Sequence, residues 1–162
     1  MKKQGFSLAE LIVVIGFMVV LITMGALNYF GERGRRELDS AVEIIVREIN
    51  SVAAKAKSQE SGYEWWLIFQ NPSGSGNDYY IICYGTYSGL GGSCVTSGGS
   101  EAKRVNLDNT LEFTDPVSGV YKNIVFEKAT GLPTATASVV INSTSGTWSK
   151  TITVNANGRI DF

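Results

Sequence analysis

The chain has 162 residues, a formal net charge of −1 and 44% hydrophobic residues. This length suits one domain of ordinary size, and the near-neutral charge does not suggest the basic face that general binding to nucleic acid requires. Because histidine is absent, neither a serine or cysteine triad nor an ordinary zinc site is expected. The composition therefore predicts a protein that is not an enzyme and has no metal or cofactor.

The first predicted element is an apolar helix near the amino terminus. From Phe6 to Leu27 there are 22 residues, which make a helix of about 33 Å, enough to cross a hydrocarbon core of about 30 Å. A cleaved secretory signal is the alternative, but such a signal has a shorter apolar region that ends in a small-residue cleavage site. The pattern favours a transmembrane helix.

Glu10 interrupts this apolar run. A charge near the centre of a membrane helix costs about 2.5 to 3.5 kcal/mol on insertion scales, and less toward the interface. The carboxylate therefore needs either a partner or a path to the lipid headgroups. The residues alone leave both explanations open.

The stretch Gly5-Phe6-Ser7-Leu8-Ala9-Glu10, preceded by Lys2 and Lys3, resembles the class III signal of type IV pilins and type II secretion pseudopilins. The resemblance implies that a prepilin peptidase cuts between Gly5 and Phe6 and methylates the new amino terminus of Phe6. It also implies that Glu10 pairs with the terminal amine of a neighbouring subunit during filament assembly, which would supply the missing counter-charge.

One position departs from the pattern of the major pilins. Leu27 stands where they usually have proline, while Tyr29 agrees with the family. Without proline the helix keeps its backbone hydrogen bond at this point. The departure favours a minor component over a major pilin.

A second predicted helical segment is amphipathic. Apolar residues recur at spacings of three and four, which is typical of a helix with one buried face. They are Leu38, Ala41, Val42, Ile45, Ile49, Val52, Ala53 and Ala56. We expect one long helix from about Phe6 to Lys57, with two separate helices divided near Gly31 and Gly34 as the alternative.

Beyond Gly62 the sequence predicts six or seven short antiparallel strands, because runs of aromatic and β-branched residues alternate with turn residues. The predicted runs are 63–70, 79–84, 111–113, 121–127, 137–142, 147–154 and 159–162. The first two form a hairpin around the loop 71–78, and Asn157-Gly158 is a strong hairpin signal. The predicted fold is α+β and type IV pilin-like: a long N-terminal helix, its first half transmembrane, packed on an antiparallel β domain.

The second half of the chain is also similar to the GspH/FimT type of minor pseudopilins and minor pilins. The similarity lies in residues 47–69, 124–126 with 131–133, and 151–160. Together with the resemblance of the amino-terminal signal, it implies a leader at residues 1–5, a transmembrane helix half at 6–30 and an extracytoplasmic pilin-like domain at 31–162. The expected localisation is a single-pass anchor in the cytoplasmic membrane and, after assembly, a pilus or pseudopilus. Basic residues on both sides of the helix leave orientation open on charge alone.

Cys83 and Cys94 are the only cysteines. If the domain is exported we expect them to pair, closing a glycine-rich loop and contributing about 2 to 3 kcal/mol on the loop-entropy model. Two free buried thiols are the alternative.

Other candidate sites carry weaker patterns. The run 89–92 is glycine-rich but lacks the lysine and the strand-to-helix context of a phosphate loop. An acidic stretch could supply oxygens to calcium, but its spacing fits no calcium loop, and a solvated acidic turn is the favoured interpretation. Its members are Asp108, Asn109, Glu112 and Asp115. Trp65 and Trp66 point to opposite faces of one strand, so we expect one on the helix and the other exposed at a contact.

Three functions remain after these exclusions. The resemblance implies a minor structural subunit of a type IV pilus or related filament, whose partners are a prepilin peptidase, other pilins or pseudopilins, and an inner-membrane assembly platform. The first alternative is a minor pseudopilin of type II secretion. The second is a module at a filament tip that binds DNA or surfaces through the loops at 84–93. For DNA, Lys103-Arg104 or Arg159 could form a local patch, although the overall charge does not support it.

Overall fold

The computed structural model describes residues 8–74, 76–89, 91–146 and 148–162, and of residues 24–31 and 61 it describes the backbone alone. Within these ranges a long helix precedes eight strands. The elements are α1 (Leu8–Lys57), a 3-10 turn (Glu60–Gly62), β1 (Glu64–Asn71), β2 (Tyr79–Gly85), β3 (Gly99–Asn106), β4 (Leu111–Asp115), β5 (Val120–Phe126), β6 (Ala137–Ser143), β7 (Ser149–Val154) and β8 (Ile160–Asp161).

The transmembrane prediction for residues 6–30 is wrong for this structure. Among the described residues, no helix is both long enough and apolar enough to cross a membrane. The described apolar side chains run from Leu8 to Thr23, which is 16 residues or about 24 Å of helix, short of a hydrocarbon core of about 30 Å. The pilin-like fold class with a membrane-spanning first half is therefore contradicted.

The predicted localisation is also wrong for this structure, because it depends on the transmembrane helix. A single-pass anchor in the cytoplasmic membrane, with residues 31–162 as an extracytoplasmic domain, needs a spanning helix that the described residues do not provide. What the structure does contain, after α1, is a mostly antiparallel β domain.

The second half of α1 packs its apolar stripe on this β domain. Leu38, Val42, Ile45 and Ile49 are buried, together with side chains from both sheets, in the main hydrophobic core. The stripe predicted from the spacing is confirmed. Residues three and four apart share a helix face, so one face of α1 is covered and the opposite one carries charge.

The eight strands form two four-stranded sheets. The first sheet has the order β3-β2-β1-β5 and the second the order β4-β6-β7-β8. All of the strand pairs are antiparallel. The main core fills the space between α1 and the inner faces of both sheets.

The predicted hairpin of β1 and β2 is confirmed, with Gln70 opposite Tyr79 and Glu64 opposite Gly85. Trp65 and Trp66 lie on opposite faces of β1, as their alternation requires. Trp65 belongs to the core beneath α1. Trp66 is also buried, in a second cluster on the outer face, so the expected exposure of one tryptophan is wrong.

Strand β3 is the element that the sequence did not predict. Its residues are almost all exposed, and it pairs with β2 at the edge of the first sheet, with a register shift next to Cys83. The run Glu101-Ala102-Lys103-Arg104 lacks the apolar alternation that marks a half-buried strand. Charged residues and irregular pairing are typical of edge strands.

Candidate assembly surface

The first half of α1 exposes a continuous apolar surface. Its large apolar side chains between Leu11 and Ile22 are 49% to 68% exposed. Five consecutive residues go more than once around a helix of 3.6 residues per turn, and residues 11–15 are all exposed and apolar. The apolar surface therefore surrounds the helix. This is far more apolar area than a soluble monomer ordinarily leaves uncovered.

Of the site residues predicted near the amino terminus, the structure describes Glu10 alone. Glu10 is exposed in the first turns of α1. Gly5 and Phe6, the predicted cleavage and methylation positions, lie outside the described residues. The roles of all three residues stay predictions.

Cys83 and Cys94 form a disulfide with a Cα–Cα distance of 5.4 Å. The predicted pairing is confirmed, and the alternative of free thiols does not apply. Both residues are buried with Trp66, Ile68 and Ile81 on the outer face of the first sheet. The bridge thus fastens the loop between β2 and β3 over apolar side chains that would otherwise be exposed, and this explains why Trp66 is covered.

The end of β1 and the loop that follows it bind the backbone of Phe113 in β4, in the second sheet. Asn71 donates its side-chain Nδ2–H to the Phe113 carbonyl oxygen at 2.6 Å. The Phe113 N–H donates to the Asp78 carboxylate, and Asp78 is only 7% exposed. One side chain from β1 and one from the loop before β2 therefore occupy the Phe113 backbone groups on the outer edge of β4.

The acidic stretch proposed for calcium is not gathered into a site. Asp115 forms an ion pair with Lys122, Asp108 accepts the Thr110 N–H, and Asn109 accepts from Asn77. In the described part of the chain no group of three or more histidine, cysteine, aspartate or glutamate side chains could hold a metal ion.

The basic residues considered for DNA binding each lie beside a carboxylate. Lys103 pairs with Glu48 on α1, and Arg104 pairs with Glu101 at 3.0 Å. Arg159 pairs with Asp161 at 2.8 Å. Each of these three cations is therefore partly neutralised by a neighbouring carboxylate.

Near the end of α1, Trp65 belongs to an aromatic group that the sequence did not predict. The rings of Tyr63 and Tyr84 have centroids 5.9 Å apart, and those of Tyr84 and Trp65 are 5.4 Å apart. The Lys55 ammonium lies 4.5 Å from the centroid of the Trp65 ring. The available signal was the alternation of aromatic residues 63, 65 and 84 on one face of a predicted hairpin.

Comparisons with family models, with curated proteins and with solved structures find no match to this chain.

Proposed function

We propose that this chain is a minor structural subunit of a type IV pilus or related filament, assembled through the first half of α1. The observation that carries the proposal is the apolar surface on all sides of residues 11–22. A helix that buries only one face needs one partner, whereas a helix that is apolar all round needs several. Packing of several subunits around a common helical core satisfies this requirement.

The division of α1 into two surfaces supports the same role. The apolar stripe that begins at Leu38 is already buried against the chain's own sheets, so it fixes the β domain to the helix. The apolar surface of the first half of α1 remains exposed and can contact other subunits. The leader resemblance adds that a prepilin peptidase cuts between Gly5 and Phe6 before assembly, and this step rests on the sequence alone.

Assembly is tested by filament incorporation in cells that make the native partner subunits. Phe17→Asp places a charge in the apolar surface, and we expect at least a tenfold loss of the chain from sheared filaments, measured by immunoblot. Val95→Asp is the matched control, because Val95 is an exposed apolar residue in the β domain. Equal incorporation of the two variants would contradict assembly through α1.

Processing is tested separately by the intact mass of the chain recovered from those cells. Loss of residues 1–5 with the gain of one methyl group is the expected result. An uncut chain in a strain with an active prepilin peptidase would contradict processing by that enzyme.

A further inference from the structure

A cavity of about 410 Å³ lies at the end of the first sheet where α1 stops. Its side-chain lining comes from Tyr63, Tyr84, Thr86 and Ser100, and three glycines supply backbone. Tyr63 is 46% exposed, Tyr84 is half-buried, and Thr86 and Ser100 are exposed. The volume falls within the range of small-ligand sites, about 300 to 1,000 Å³.

The aromatic wall of this cavity is held in place from behind. Tyr84 lies between Tyr63 and Trp65, with centroid separations of 5.9 Å and 5.4 Å. Trp65 is buried in the main core and carries the Lys55 ammonium over its ring. Rigid tyrosines supply contact area at a low entropic cost, because few side-chain torsions have to be fixed when a ligand binds.

The cavity has no charged residue in its lining. Charged side chains near the aromatic group have partners of their own: Lys55 lies 3.9 Å from Glu60, and the Glu64 carboxylate accepts the Tyr87 N–H at 2.9 Å. A charged ligand would lose its hydration without gaining an opposite charge. The lining therefore suits a ligand that is polar but neutral.

We infer that this cavity binds a neutral carbohydrate. A sugar ring has an apolar C–H face and a rim of hydroxyl groups, and the cavity provides a counterpart for each. The exposed ring of Tyr63 suits the C–H face, while the hydroxyls of Thr86 and Ser100 can both donate to and accept from sugar hydroxyls.

The position of the cavity keeps it clear of the apolar half of α1. From Thr23 to Lys57 the helix rises about 50 Å, and Tyr63 follows the 3-10 turn that comes after Lys57. The residues proposed for assembly therefore lie far along the helix from the cavity lining. One chain carries the whole lining, so sugar binding does not depend on filament assembly.

The test is saturation-transfer NMR on the full-length chain in a mild detergent. The neutral probes are maltotriose, cellotriose and triacetylchitotriose, and the anionic probes are glucuronic acid and adenosine monophosphate. We expect transfer from protein aromatic protons to the C–H protons of at least one neutral trisaccharide, and none to the anions. Tyr63→Ala should weaken that binding about tenfold, and Thr86→Val gives a second variant at an exposed position.

Tyr121→Ala is the matched control, since Tyr121 is an exposed tyrosine on β5 that pairs with Gln70 at the other end of β1. The control should bind the sugar like the unmodified chain. Transfer to none of the neutral probes, equal transfer to the anions, or full binding by both Tyr63→Ala and Thr86→Val would each overturn the inference.

Discussion

Asp78 and Phe113 join the two sheets through one hydrogen bond, in which the Phe113 N–H of β4 donates to the buried carboxylate of Asp78. Burial raises the pKa of Asp78 above its ordinary value; the bond from Phe113 lowers it in part, and the charge of Glu112 raises it further. The ionised carboxylate is thus less favourable in the folded chain than in the unfolded chain.

We predict that Asp78→Asn makes stability less dependent on pH. An acid whose pKa is raised by folding loses stability as pH rises from its unfolded pKa, about 4, to its folded pKa, and the loss is complete above that value. Asparagine keeps an oxygen for the Phe113 N–H and does not ionise. The variant should therefore gain stability relative to the unmodified chain between pH 4 and pH 7.

Urea unfolding followed by tryptophan fluorescence at both pH values measures this difference. Glu32→Gln, at an exposed carboxylate on α1, is the control and should follow the pH profile of the unmodified chain. Parallel profiles for Asp78→Asn and the unmodified chain would show that Asp78 is not responsible.

The buried hydroxyl of Tyr80 predicts a loss of folding stability at alkaline pH. Its hydroxyl is buried and has no hydrogen-bond partner among the described residues. Burial, with a smaller contribution from the charge of Glu48, raises the pKa of Tyr80 to about 12. Folding therefore favours the neutral phenol, and stability falls as pH rises from the unfolded value of about 10 toward 12.

Tyr80→Phe removes the unpaired hydroxyl and keeps the ring against Phe69, whose centroid is 5.9 Å away. We expect unchanged stability or a gain of up to about 1 to 2 kcal/mol at pH 8, and a larger advantage at pH 11. Tyr121→Phe is the exposed control. A loss of more than about 1 kcal/mol at pH 8 would mean that the hydroxyl has a stabilising partner.

Reduction of the Cys83–Cys94 bridge should cost about 2 to 3 kcal/mol, because the bridge closes a short loop in the unfolded chain. The residues are 11 apart. Removal of both cysteines as Cys83→Ala with Cys94→Ala should give a similar loss, and adding reductant to that variant should change nothing further. Equal unfolding midpoints for the oxidised and reduced chains would refute a stabilising bridge.

Gly34 in α1 and Gly131 in the loop between β5 and β6, which lies against α1, predict opposite effects of alanine. At Gly34 an added Cβ would lie 3.6 Å from the Ser143 Oγ, an ordinary contact, so Gly34→Ala should stabilise the helix by about 0.5 to 1 kcal/mol. Gly131 has a φ of +67°, and its Cβ would lie 2.5 Å from the Ala53 carbonyl oxygen. Gly131→Ala should therefore be destabilising, and thermal unfolding of the two variants under identical conditions compares them directly.

The amphipathic part of α1 could be predicted because its burial follows the 3.6-residue period, as Leu38, Val42, Ile45 and Ile49 show. The β1–β2 hairpin could be predicted for a similar reason, since its strands are dense in aromatic and β-branched residues. Because both elements bury many apolar residues, those residues form a pattern in the sequence that indicates a helix or a strand.

Other features depended on contacts that leave no local pattern. Strand β3 is held by pairing with β2, not by burial, so its charged sequence did not mark it. The burial of Trp66 depends on a loop fastened by a disulfide. The cavity beside Tyr63 forms where residues far apart in sequence meet. The apolar run of α1 predicts a transmembrane helix that the described residues do not provide.

The outer edges of the two sheets have a consequence for any filament built from this chain. Strand β3 carries charges, and β8 has only two residues. The edge of β4 is occupied by Asn71 and Asp78, and Val125 in β5 already accepts the Thr134 N–H. Such edges discourage strand addition from another subunit. Filaments of this protein should therefore lack the 4.7 to 4.8 Å cross-β repeat of amyloid, about the spacing of hydrogen-bonded strands, and should leave thioflavin T fluorescence unchanged.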